Sequence, residues 1–359
     1  MDTIILIPAY KPDETLIRLA RELRGKEFHI LIVDDGSGSD YASVFHAAED
    51  YAEVIGYEKN RGKGFALKYG IDYIRNAHAD YRYFVTADAD GQHAVKDILR
   101  VSEKIHDVGG IVLGSRAFTG KIPLRSRVGN DMSRFSYAIA SSLYLQDNQT
   151  GLRAFEVSYC EWLCSISGKR YDYEINVLMV AAKRNIPIHE VAIQTIYADG
   201  NKSSHFRPIP DTLRLHTKIL IASIPSLIAF LFMMASAIFL FYFLIKGNYS
   251  LSTDTIWQLA LLDGGTTGIV VSFILNTCRF ATRTGVPFRL SWRKLLVSVF
   301  RLAAYQLMMR MLRIVMPSIH FVPALIFTVF VVLVLEFFLL KLIFLLRNRN
   351  EVDPRTRNL

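Results

Sequence analysis

The chain has 359 residues, 51% of them hydrophobic, with 42 Lys and Arg against 33 Asp and Glu, for a formal net charge of +9. That length accommodates two domains. Its three cysteines, Cys160, Cys164 and Cys278, exclude a disulfide framework, and Cys160 with Cys164 has no His or Cys partner at metal-ligand spacing. The basic residues gather beside apolar segments, which argues against nucleic acid and for an anionic membrane surface and phosphorylated ligands.

MDTIILIPAY lacks the basic region of a signal peptide and turns at once into a strand, so the first domain is expected to stay on the side of synthesis. TIILIPAY (3–10) and FHILIVDDG (28–36) are short apolar runs ended by turn residues, the pattern of buried parallel strands. Between them, DETLIRLAREL carries Leu16, Leu19 and Leu23 at helical spacing. A helix is expected around 62–77, a strand at YRYFVTADAD (81–90), a helix near 94–106 and a strand at GIVLGSR (110–116). Strands alternating with helices predict a Rossmann-like α/β domain with a mostly parallel, doubly wound sheet. Such sheets bind ligands outside the carboxyl ends of their strands. PAY, DDGS, DAD and GSR all fall there.

Asp88 and Asp90 stand one residue apart at the end of an apolar run, where each would raise the other's pKa. A divalent cation removes that penalty. Hard oxygen ligands suit Mg²⁺ or Mn²⁺, which bridges protein carboxylates and a nucleotide diphosphate. Asp34-Asp35-Gly36-Ser37 ends another strand on the same edge, where an acid can accept hydrogen bonds from a base or ribose. Asn60-Arg61-Gly62-Lys63-Gly64 leads into a helix N-terminus and suits phosphate oxygens.

IPAYKPDE, VDDGS, NRGKGFAL, ADADGQH, GSR and DNQTGLRAF, in that order, resemble the motifs of family 2 glycosyltransferases with the GT-A fold, and within them the dolichyl- and undecaprenyl-phosphate sugar synthases. The resemblance covers residues 1–210. It implies that Asp35 reads the nucleotide base and that Lys63 lies near the base or the diphosphate. Asp88 would bind ribose or metal, and Asp90, with Gln92, would hold the metal on the diphosphate. Pro8, Tyr10 and Glu14 of the first motif would line the nucleotide. Where the family shows P-x-Y-N-E, however, Tyr10 is followed here by Lys11-Pro12-Asp13-Glu14, which leaves open the acid that reaches the ribose.

A lipid monophosphate acceptor, with a second pKa of about 6, is nucleophilic at neutral pH without a general base. It needs cationic positioning, and Arg forks match phosphate. Arg116, Arg125, Arg127, Arg134 and Arg153 follow the metal motif. By resemblance Arg116, Arg125 and Arg127 lead as acceptor-phosphate ligands, and Gln149–Arg153 matches the acceptor-side motif, placing Arg153 among the binding residues. Val128, Met132, Phe135, Ile139 and Leu143 form an apolar helical stripe, open to two readings, core or lipid interface. Tyr171-Asp172-Tyr173-Glu174 begins a helix on the same cleft, with Glu174 orienting the sugar and Asp172 structural. The polar segment 200–218 reads as a juxtamembrane link or a lid.

Apolar runs near 219–245, 256–278, 295–316 and 323–346 are each long enough to cross a hydrocarbon core of about 30 Å, the second being broken by Asp263-Gly264-Gly265. The 279–294 connection and the tail are rich in arginine, while the 246–255 and 317–322 connections hold Lys246 as their one Lys or Arg. By the positive-inside rule both termini and the catalytic domain are cytoplasmic. Helical rise puts Arg301 and Glu336 at one depth, about 10 Å from the cytoplasmic side, and brings Asp263 within roughly 5 Å of the depth of Arg310. Two ion pairs are therefore predicted, serving either to hold the bundle or to guide a phosphorylated headgroup. The span pattern, with SFILNTCRF after the second, resembles GtrA-like membrane domains.

These readings combine into a GT-A domain over 1–213, an all-α four-helix transmembrane domain over 214–350 and a basic tail over 351–359. The expected activity is metal-dependent, inverting transfer of one hexose from a nucleotide sugar, UDP-glucose first and GDP-mannose next, to a polyprenyl phosphate at the cytoplasmic leaflet of the cell membrane. A glycolipid translocase with a regulatory soluble domain is the alternative, and both activities in one chain are compatible with the sequence. Membrane lipids are expected partners, nucleic acid is not, and the oligomeric state stays open, a homo-oligomer included.

Overall fold

The computed structural model describes residues 2–116, 124–141, 143–194, 228–247, 249–284 and 292–351. The chain forms two compact units, Met1–Arg134 with Leu145–Lys218, and Phe135–Tyr144 with Ile219–Leu359.

The first unit is a seven-stranded sheet with helices. In chain order its elements are β1 (Thr3–Ala9), α1 (Glu14–Arg24), β2 (His29–Asp34), α2 (Ala42–Ala48), β3 (Glu53–Gly56), α3 (Lys63–Ala77), β4 (Tyr83–Thr86), α4 (Val95–Val108), β5 (Ile111–Arg116), α5 (Leu124–Ser141, which belongs to the second unit from Phe135 on), β6 (Arg153–Glu156), α6 (Cys160–Ser165), α7 (Asp172–Arg184) and β7 (Ile188–Ile193). The strand order is β3-β2-β1-β4-β6-β5-β7. All seven residues of β1 are buried, as a strand covered on both faces requires. Asp13 caps α1 by accepting from Thr15 N at 2.8 Å, and Leu16, Leu19, Ala20 and Leu23 turn to the core beside Ile5, Ile7, Ile30 and Ile32.

The sheet is mostly parallel, as expected, with one antiparallel strand. β6 lies antiparallel between β4 and β5, while the other pairings are parallel. Its insertion brings the 147–152 segment to the carboxyl ends of β4 and β5. Cys160 is buried on α6, and burial pushes its thiol up to about 12, so it packs as an inert small hydrophobe.

The second unit contains α8 (Ile228–Lys246), α9 (Thr253–Thr284), α10 (Trp292–Val315) and α11 (Phe321–Glu351), each overlapping one expected span. Among the described residues, Ile228–Lys246 and Phe321–Ile343 are long and apolar enough to cross a membrane. Phe241 stacks on Phe321 at 4.2 Å between ring centroids, and Trp257 meets Phe321 edge-on at 5.1 Å. Meanwhile Phe239, Phe330 and Phe338 point outward, a surface that suits lipid better than water.

Arg301 and Glu336 form the expected pair, a fork with Nε–Oε2 at 2.6 Å and Nη2–Oε1 at 2.7 Å. Asp263 and Arg310 do not. Asp263 instead accepts from the Ser236 hydroxyl on α8, and Arg310 donates to Gln258 Oε1 at 3.1 Å. Depth along an axis does not fix the face of a helix. Arg313 pairs with Asp254 at 2.8 Å, which depth alone had not suggested. Of the apolar stripe, Phe135 packs on Phe337 with centroids at 5.3 Å, as does Tyr144 outside the stripe at 5.7 Å, whereas Met132 is exposed and Leu143 lies past the end of α5.

Candidate active site

The carboxyl ends of β1, β2 and β4 converge through backbone contacts. Asp35 N donates to Ala9 O at 2.8 Å and Lys11 N to Ser37 Oγ at 2.8 Å, joining the first two motifs. Beyond β4 the chain turns through Asp88, Asp90 and Gly91. Gly91 has φ 70°, and a Cβ there would stand 2.4 Å from Thr15 Cγ2, so the turn is pressed against the start of α1. A Cβ on Gly151 would stand 2.3 Å from Asp88 Oδ2, which lets the 147–152 segment approach the acid only as glycine.

Asp88 is the hub. Lys63 Nζ, from the first residue of α3, lies 2.6 Å from Asp88 Oδ1 and 3.0 Å from Glu174 Oε1 on the first turn of α7. His93 Nε2 lies 3.2 Å from Asp88 Oδ2. Burial opposes ionisation of Asp88, but Lys63 and His93 outweigh it and hold the carboxyl well below its ordinary range. Asp90 goes the other way: burial and the charge of Asp88 raise its pKa, although Gln92 N donates to its Oδ1 at 3.1 Å. Asp88 and Glu174 thus bring two carboxylates to one lysine, with Asp90 two residues beyond Asp88.

Asp35 is buried, and its carboxylate accepts from Tyr57 OH (2.7 Å), Asn60 Nδ2 (3.1 Å), Arg61 N (2.8 Å) and Gly62 N (2.9 Å). It folds the 57–62 loop around itself. Arg116 grips buried Asp147 through Nε at 2.5 Å and Nη2 at 3.0 Å, and Asp147 N in turn donates to Glu190 at 3.0 Å.

The glycosyl transferase family 2 model matches residues 4–163. The UDP-N-acetylglucosamine–dolichyl-phosphate N-acetylglucosaminyltransferase of Methanococcus voltae is 32% identical over 54% of this chain and 86% of its own length. The chain belongs to glycosyl transferase family 2. Dolichyl-phosphate beta-glucosyltransferase of Dictyostelium discoideum is 27% identical over 60% of this chain and 74% of its own. Among solved structures, glucosyl-3-phosphoglycerate synthase from Mycobacterium tuberculosis superposes with a TM-score of 0.46 at 17% identity, over 61% of this chain and 79% of that one.

For this family 2 glycosyltransferase the structure brings Lys63, Asp88, Asp90 and Gln92 together, with Pro8 buried in β1 and Tyr10 half-buried just beyond it. Glu14 is exposed in the first turn of α1. Arg153, expected among the binding residues of the acceptor-side motif, lies in the core at the start of β6. It is 2% exposed, and its guanidinium donates to the carbonyls of Thr150 (2.8 Å) and Glu174 (2.7 Å), so its fork holds backbone. Arg125 and Arg127 lie on the first turn of α5, with side chains outside the described residues, as are the 200–218 segment and the tail past 351.

His93, Asp147 and Glu190 were missed as site residues. His93 and Asp147 sit inside the quoted motifs, so their signal was position; Glu190, in the half-buried strand β7, gave none.

The donor set fits a hard divalent cation at Asp90. Its half-buried carboxylate is disfavoured as an anion, while Lys63 is committed to Asp88 and Glu174.

Proposed function

We propose that this chain transfers one hexose, with inversion, from a nucleotide sugar to a polyprenyl phosphate at the cytoplasmic leaflet of the cell membrane. UDP-glucose is the favoured donor and GDP-mannose the next. The observation that carries this reading is the Asp88–Asp90 turn, braced by Lys63 and His93 at the strand ends of a chain whose relatives are named for dolichyl-phosphate acceptors.

An oxygen of the lipid phosphate bonds to the anomeric carbon as the bond from that carbon to the β-phosphate oxygen breaks, and the nucleoside diphosphate leaves. No proton moves, because the acceptor is already mostly dianionic, with a second pKa of about 6. Asp90, with Asp88 and Gln92, would hold Mg²⁺ or Mn²⁺, which when bound neutralises charge on the departing diphosphate. Asp35 shapes the base subsite by folding the 57–62 loop, with Pro8, Tyr10 and Glu14 alongside. Lys63 sets the spacing of Asp88 and Glu174, the latter facing the sugar. Asp147-anchored Arg116, with Arg125 and Arg127 by resemblance, would position the acceptor phosphate.

The second unit is read as a GtrA-like, multi-pass anchor over 214–350 with both termini cytoplasmic, following the 1–213 catalytic domain. A translocase role for it has the buried Arg301–Glu336 pair as its observation.

The test incubates purified full-length protein with a short polyprenyl phosphate, Mn²⁺ and a panel of labelled sugar nucleotides, N-acetylglucosamine included, and resolves products by mass. A polyprenyl-phosphate monohexoside is expected. Turnover undiminished by a chelator, or no lipid product with any donor, would defeat the reading.

A further inference from the structure

The amino-terminal edge of the same sheet carries a second cluster that takes no part in the site above. His29 opens β2, Glu53 opens β3 and His78 caps the end of α3. They meet because β2 and β3 pair with Leu31 opposite Glu53, while α3 runs back to the same edge. His29 Nε2 lies 3.2 Å and His78 Nε2 2.9 Å from one oxygen, Glu53 Oε2, and the three ligand atoms all fall within 4.8 Å of one another. Ligands bound to tetrahedral Zn²⁺ at about 2.0–2.1 Å stand roughly 3.4 Å apart. Small side-chain swings therefore bring all three to coordination spacing.

The outer partners are already in place. Tyr81 OH lies 3.1 Å from His29 Nδ1, a contact suited to Nδ1–H donation, which leaves the Nε2 lone pair toward Glu53. Tyr73 OH donates to Glu53 Oε1, leaving Oε2 toward the histidines. Metal-bound imidazoles and carboxylates are oriented by such hydrogen bonds. Two imidazoles with one carboxylate suit a borderline ion rather than hard Mg²⁺. All three residues are half-buried, so an ion can enter from solvent.

We propose that His29, Glu53 and His78 form a Zn²⁺ site that pins edge strand β3 and the end of α3 to β2. Three protein ligands leave a fourth position for water. The site lies at the far end of α3 from Lys63, about 22 Å along the helix, so it acts on the stability of this edge and not on sugar transfer.

The test uses full-length protein in detergent, without a polyhistidine tag, and titrates Zn²⁺ against a chromophoric chelator while recording the melting temperature. Wild type and Asp90→Asn are each expected to take up one Zn²⁺ and to melt several degrees higher with it. His78→Ala and Glu53→Gln are expected to lose at least tenfold in affinity together with the thermal gain. His78→Gln, which keeps a donor toward Glu53, stands in where His78→Ala does not fold. Absence of Zn²⁺ uptake, or uptake that survives the His78 substitutions and disappears in Asp90→Asn, would overturn the site and assign the ion to the catalytic carboxylates.

Discussion

Lys63 and Asp88 form an ion pair of 2.6 Å that joins the first turn of α3 to the end of β4. Burial would lower the Lys63 pKa, yet the charges of Asp88 and Glu174 outweigh it and raise it. Replacing Lys63 with Met strands two partly buried acids, and breaking such a pair costs about 3 kcal/mol where solvent still reaches the side chains. The folded pKa of Asp88 is depressed, so its contribution is present above the unfolded value near 3.9 and is lost as pH falls. The stability gap between wild type and Lys63→Met should therefore narrow below about pH 4 in denaturant titrations, and kcat/KM at pH 7 should fall by at least about 100-fold.

Asp90 has the opposite sign. Burial and Asp88 raise its folded pKa, so its contribution is full below the unfolded value and is lost as pH rises through the folded one. Removing the charge should then stabilise the protein near pH 7 while ending its function. Asp90→Asn is expected to melt at or above the wild-type temperature in metal-free buffer, with transfer reduced about 10³-fold. Mn²⁺ should raise the melting temperature of wild type and leave Asp90→Asn unmoved through this site. A fully active Asp90→Asn would end the metal assignment.

Glu190 supplies a pH signature away from the nucleotide. Burial raises its carboxyl to about 7, although the backbone N–H groups of Gln146 and Asp147 donate to it. Its raised folded pKa means stability that is complete below the unfolded value and is lost as pH climbs to about 7, an upper bound of about 3 kcal/mol at 1.36 kcal/mol per unit. Glu190→Gln keeps an acceptor for the loop and removes the titration. Melting curves from pH 5 to 8 should fall for wild type and stay flatter for Glu190→Gln.

The residues that could be read from the sequence are those whose local pattern carries the information. β1 and β2 announce themselves as apolar runs with turn residues behind them, and α1 by Leu16, Leu19 and Leu23, so the strand-end acids could be placed on one edge. β3 has four residues, three half-buried and one exposed, and leaves no such run. β6 is as short, and its antiparallel direction follows from pairing with β4, some seventy positions away. The partners of Arg153 were hidden for a related reason. A guanidinium in a glycine-containing motif reads as a phosphate ligand, but in the core it donates to the carbonyl of Thr150 in its own motif and to that of Glu174 on α7, 21 positions on. Asp147 was in plain view, yet its role comes from Arg116, 31 positions earlier.

The second unit yields a prediction of the same kind. Helical rise puts Arg301 level with Glu336, and their fork shows that the two side chains face each other. Glu336 is fully buried, so Glu336→Gln leaves a guanidinium without its counter-charge, a change that typically costs about 3–5 kcal/mol. Thermal unfolding in detergent should show that loss. Replacing both residues by Met should recover most of it, since an ion pair exchanged for packed apolar side chains is often neutral or stabilising. Equal melting temperatures for wild type and Glu336→Gln would mean that the pair does not bind the helices, whereas recovery in the double variant would separate lost charge compensation from lost packing.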